Sequence, residues 1–105
     1  MAVTYLIIFD VIPDQRDRFL SLLQHVLDSM RAEPMFHQAV LHRSPDSEDR
    51  FMLYETWEDH EDVLNNQLGR DYRRAWHDAL SELLANERDI SIWWPLRSDR
   101  AGEGP

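Results

Sequence analysis

The chain has 105 residues, 43% of them hydrophobic and 30% charged, with a formal net charge of −9. It contains neither cysteine nor lysine, which excludes disulfides, thiolate nucleophiles, Schiff-base catalysis and a phosphate-loop lysine. Gly69 is the one glycine outside the tail that holds Gly102 and Gly104, too few for a glycine-rich phosphate or dinucleotide cradle.

Residues 4–12, TYLIIFDVI, are rich in β-branched and aromatic side chains and predict a strand closed by Pro13. Asp14 is placed to cap a helix, and Asp17 suits the positive end of its dipole. Phe19, Leu22, Leu23, Val26, Leu27 and Met30 recur at spacings of three and four. They form one apolar stripe on a helix that stops before Pro34. Residues 36–43 and 50–57 read as two strands of a hairpin, joined by the polar turn SPDSED at 44–49. Asp59 is a second N-cap, opening a short helix that runs to about Gln67 and breaks at Gly69. A longer helix over 71–85 carries the stripe Tyr72, Trp76, Ala79, Leu80, Leu83 and Leu84. Residues 89–96 give a fourth strand, ended by Pro95. One domain over 1–96 is expected, followed by a loose tail at 97–105. The order strand, helix, two strands, helix pair, strand predicts an α+β, ferredoxin-like split βαβ fold with a four-stranded antiparallel sheet.

Alternation places Tyr5, Ile7, Phe9 and Val11 on one face of the first strand, and Leu6, Ile8, Asp10 and Ile12 on the other. The third strand divides likewise, with Phe51, Leu53 and Trp57 opposed to Met52 and Tyr54. Helices cover only one face of such a sheet in a single subunit. The second apolar face is therefore expected to pack on a second copy, giving a homodimer whose sheets share a barrel. Glu55 shares its face with Phe51, Leu53 and Trp57, and once buried it needs an arginine partner or takes a raised pKa.

Partners follow from charge. Residues 46–62 hold eight carboxylates with Arg50 alone in opposition, which argues against nucleic acid. Arg70, Arg73 and Arg74 form the one basic knot, enough to answer nearby acids or to meet a single anionic ligand. The longest apolar run near the start, residues 6–9, is far short of the roughly 20 residues of a membrane span. No signal-peptide pattern is present at the start, so a cytoplasmic location is expected. His37 and His42 lie an odd number of residues apart and point to opposite faces of one strand. Asp59, His60, Glu61 and Asp62 surround a helix start, where capping accounts for them; no metal site is expected.

The segments RFMLYETWED at 50–59, EDVL at 61–64 and DYRRAWHDAL at 71–80, with the hairpin entry LHRSPD at 41–46, resemble the antibiotic biosynthesis monooxygenase domain. The resemblance covers about residues 4–96. It implies a dimeric α/β barrel and a cofactor-free monooxygenase that oxidises a small aromatic substrate, a quinol or polyketide-like phenol, with dioxygen. A non-catalytic dimeric ligand-binding barrel and a haem-binding or haem-degrading relative are the alternatives. The resemblance also implies a site. Asn66 falls where some oxygenases of the family carry an asparagine, and would donate its amide to a phenolate or peroxy oxygen. Tyr54 and Trp57 match aromatic positions on the third strand, and Trp76 joins Trp57 as a ring wall. Positions that hold histidine in many members are Gln67 and Tyr72 here. Tyr72 is left to contact a phenolic oxygen, and His77, one turn on, to act as base.

Overall fold

The computed structural model describes residues 1–102. Strand β1 spans Val3–Asp10, helix α1 Arg16–Met30, β2 Phe36–Arg43, β3 Arg50–Trp57, α2 His60–Asp62, α3 Arg74–Leu83 and β4 Asp89–Trp93. Single 3-10 turns at Pro13–Gln15 and Asp71–Arg73 lead into α1 and α3, and a π-helical turn at Val63–Gln67 continues α2. The four strands are antiparallel in the order β2-β3-β1-β4, which is the ferredoxin-like arrangement the element order predicts.

The hairpin strands β2 and β3 have the predicted bounds, and Asp59 caps α2 as expected, its carboxylate accepting the Asp62 N–H at 3.2 Å. Elsewhere the bounds differ. β1 stops at Asp10 rather than residue 12, because Asp10 pairs with Arg50, where β3 begins. Val11 bridges to Leu84 and donates its N–H to the Asp49 carbonyl at 2.8 Å. β4 stops at Trp93 rather than residue 96, its last pair being Trp93 with Thr4 at the start of β1. Asp14 makes no capping bond: Pro13 opens the turn with no N–H of its own to satisfy. The helix expected over 71–85 begins as a 3-10 turn and ends at Leu83, since Leu84 turns extended to meet Val11. Of the expected tail, residues 97–102 hold no helix or strand, with Arg97 paired to Asp99 at 2.8 Å, and residues 103–105 lie outside the described part.

Helices pack on the face that carries Tyr5, Ile7 and Phe9, all buried. Phe19 of α1 anchors the core, with ring centroids 5.1 Å from Phe9, 5.1 Å from Phe51 and 5.5 Å from Trp76 of α3. The opposite face is also apolar. Leu6 and Ile8 lie beside Tyr54 and Met52, flanked by the exposed Val40 and Trp93, with one Thr4–Thr56 hydroxyl bond at 2.9 Å. Among the described residues no helix is long and apolar enough to cross a membrane.

Candidate active site

Between the inner face of the sheet and the helices lies a cavity of about 270 Å³. β1 and β3 floor it with Tyr5, Ile7, Phe9, Leu53 and Glu55, while α1 and α3 roof it with Leu23, Val26, Met30 and Trp76. Leu64, Leu68, Ile90 and Ile92, each about half exposed, complete the lining and leave an apolar rim. The ionisable groups on this otherwise apolar wall are Tyr5, Glu55, His60, Arg73, His77 and Arg88.

Tyr5 and His60 form a pair. The alternation of β1 turns Tyr5 inward, and the Asp59 cap starts α2 so that His60, its first residue, faces β1. The Tyr5 hydroxyl lies 2.6 Å from His60 Nδ1. Burial, then the charges of Glu55 and Asp59, push the phenol up to about 12. Tyr5 therefore keeps its proton near neutrality and shares a hydrogen bond with Nδ1. The other side of the His60 ring meets Trp94 edge-on, at 5.8 Å.

Glu55 is 7% exposed and accepts the Trp57 indole N–H at 3.2 Å. Burial holds its carboxyl above the usual range, against the opposing pull of Arg73, the Trp57 N–H and Arg88. Arg73 is 6% exposed, its guanidinium 5.7 Å from the Trp57 ring and 5.8 Å from the Tyr72 ring. Among the described residues its Nε and Nη2 have no hydrogen-bond partner. His77 is half buried, and burial, then the charges of Arg88 and Arg73, hold its imidazole below the ordinary value, so the neutral ring is favoured.

Of the residues singled out in the sequence, Glu55, Arg73, Trp76 and His77 line the cavity. Trp57 is fully buried behind it, packed edge-on against Phe36 at 5.1 Å and touching the cavity only through Glu55 and Arg73. Tyr54 lies on the outer face, turned away from the cavity. Asn66 is exposed and donates its amide to Asp62 Oδ1 at 2.8 Å, while the fully buried Gln67 donates to Asp62 Oδ2 at 2.9 Å. These two bonds hold the Asp62 carboxyl below its usual value. Tyr72 is half buried and donates to Glu33 Oε1 at 3.3 Å, outside the lining. His37 faces Glu58 at 2.6 Å on the surface. Among the described residues, no group of three or more His, Asp or Glu side chains is placed to hold a metal ion. The sequence assigns Arg88 no role, and it reads Tyr5 only as a face residue and His60 only as part of a helix start. The alternation that turns Tyr5 inward was legible, but the approach of α2 to β1 and of the 84–88 loop to the cavity is a matter of tertiary placement.

The model of the antibiotic biosynthesis monooxygenase family matches residues 2–79. The Mycobacterium tuberculosis protein Rv0793 superposes with a TM-score of 0.83 at 24% identity, over 97% of this chain and 100% of that one. A mutant of SnoaB, described as a cofactor-independent oxygenase from Streptomyces nogalater, superposes with a TM-score of 0.79 at 20% identity, over 97% and 98%. The Pestalotiopsis microspora protein GME11364, provisionally named a monooxygenase, is 26% identical over 82 residues, 77% of this chain and 68% of that one. The two structural likenesses show a common fold.

Proposed function

The chain belongs to the antibiotic biosynthesis monooxygenase family, and from that premise we propose that it is a cofactor-independent monooxygenase of a small aromatic substrate, a quinol or polyketide-like phenol. The observation that carries this reading is the cavity, a largely apolar volume of about 270 Å³ with a hydrogen-bonded tyrosine and histidine on its wall. The description of SnoaB as a cofactor-independent oxygenase supports the same chemistry here. An electron-rich phenol that loses its proton can reduce dioxygen directly. The protein has then to exclude water, hold the ring and take the proton. The substrate supplies both electrons; one oxygen atom enters the ring and the other leaves as water.

Trp76 and the apolar side chains of β1 and α1 hold the ring. The phenol proton passes to the Tyr5–His60 pair, Tyr5 giving its own proton to Nδ1 as it takes the substrate's. His77 is a polar part of the wall, because burial, then the charges of Arg88 and Arg73, oppose its protonation. Trp57 positions Glu55 and Arg73 from behind. Asn66 and Tyr72 act through the contacts they make, tying the 62–67 turn to Asp62 and the start of the 3-10 turn to Glu33.

The test is oxygen uptake by the purified protein, stripped of metal, against a panel of quinols and hydroxylated naphthalenes. Uptake above the uncatalysed rate is expected with at least one compound, and none across the panel sinks the reading. The placement of Asn66 outside the lining favours one rival, a non-catalytic ligand-binding barrel. That rival gives ligand-induced stabilisation with no oxygen used.

A homodimer is part of the same proposal. The apolar outer face around Leu6, Ile8, Met52, Tyr54 and Trp93 fits a second copy packed sheet to sheet. Sedimentation at micromolar concentration is expected to give a dimer, and Leu6→Asp to give folded single subunits. A well-folded single subunit of the unaltered chain would remove the dimer.

A further inference from the structure

The chain has 20 carboxylates and 11 arginines, and seven of the arginines have an ion pair among the described residues. Arg16, Arg18, Arg31, Arg50, Arg70, Arg74 and Arg97 each lie within 4.0 Å of a carboxylate oxygen. Within the basic knot itself, Arg70 reaches Glu33 at 3.1 Å and Arg74 reaches Asp71 at 3.3 Å. Arg73, between them in sequence, has no ion pair among the described residues. It points instead into the cavity wall, where Arg88 also stands without an ion-pair partner among the described residues. The two paired arginines are exposed, where an ion pair contributes little; Arg73 is buried, where an unanswered charge is costly.

Glu55 is the one carboxylate on the cavity wall, and it lies beyond ion-pair distance of both guanidinium groups. One anion therefore stands against two cations. Nε and Nη2 of Arg73 are buried donors with no acceptor, a state that a hydrogen-bonding anion relieves. Apart from Tyr5, His60 and His77 the rest of the wall is apolar, so the anion must be borne on a largely hydrophobic body.

We propose that this cavity takes an aromatic ligand bearing a carboxylate, its rings against Trp76 and the apolar rim and its carboxylate answered by Arg73 and Arg88. The inference rests on the oxygenase reading only in taking this cavity as the substrate site. It narrows the substrate to an acidic aromatic, and it stands or falls on binding alone.

The experiment compares two probes of one shape at neutral pH, 2-naphthoate and the uncharged 2-naphthamide, by isothermal titration calorimetry on the full chain. The carboxylate is expected to bind roughly tenfold or more tightly than the amide, the contribution of a charge-assisted hydrogen bond. Arg88→Gln and Arg73→Gln are each expected to weaken 2-naphthoate roughly tenfold while changing 2-naphthamide by no more than about twofold, with Arg73→Lys recovering part of the loss. Should Arg73→Gln fail to fold, the half-buried Arg88 carries the comparison. Equal affinity for the two probes, tighter binding of the amide, binding of neither, or equal weakening of both by the arginine variants overturns the proposal. Charge-selective binding in a protein that consumes no oxygen with any quinol sinks the oxygenase reading and leaves this one standing. Quinol-dependent oxygen uptake without charge selectivity does the reverse.

Discussion

Replacing Tyr5 with phenylalanine is expected to slow oxygen consumption by roughly 10²-fold or more, the range of a positioned proton acceptor, while the melting temperature changes little. The ring that packs in the core is kept; what is lost is the hydroxyl 2.6 Å from His60 Nδ1. His60→Ala removes the other half of the pair and is expected to slow turnover to a similar level. The double variant should be little slower than either single one, because two groups that pass one proton fail as a unit. His77→Gln serves as the contrast. His77 also lines the cavity, but burial, then two guanidinium charges, oppose its protonation, so its loss should cost turnover less. If Tyr5→Phe and His60→Ala both keep full activity with a quinol that supports uptake, the proton goes elsewhere.

The second large effect is on stability. Phe19→Ala is expected to destabilise the fold by about 3–5 kcal/mol, the range for a buried aromatic truncated to alanine. That is a large share of the roughly 5–15 kcal/mol that holds a domain of this size together. Phe19 is fully buried and meets Phe9, Phe51 and Trp76 at once, so its removal opens a void that β1, β3 and α3 all border. Leu22→Ala, on the half-buried edge of the same stripe, should cost less than half as much. Urea denaturation followed by far-UV circular dichroism checks both. Equal losses from the two variants would mean that the aromatic cluster is not the centre of the core.

How far the sequence could be read depended on whether a signal was local. The hairpin strands were legible to the residue because the turn at 44–49 and the alternation on either side are features of one short stretch. The ends of β1 and β4 were not, because a strand stops where its neighbour stops, and Arg50 and Thr4 lie far away in sequence. The burial of Glu55 and its need for nearby arginine charge could be anticipated, since strand alternation puts it beside Phe51, Leu53 and Trp57. Which arginines would stand near it could not. Arg73 belongs to a run with Arg70 and Arg74, and the helical turn that follows directs one of the three inward and leaves the other two to surface acids. For Asn66 the family position and the three-dimensional position part company: the π-helical turn that buries Val63 and Gln67 leaves Asn66 outside, bound to Asp62.

The strand order has a bearing on synthesis. β1 is made first yet lies in the middle of the sheet, bonded to β3 on one side and β4 on the other. A ribosome must therefore release residues up to Trp57 before either edge of the Leu6–Phe9 stretch finds its neighbour, and up to Trp93 before the second does. Until then a short, uncharged, β-prone segment is left unprotected in the nascent polypeptide, of the kind to which chaperones and stray sister chains both adhere.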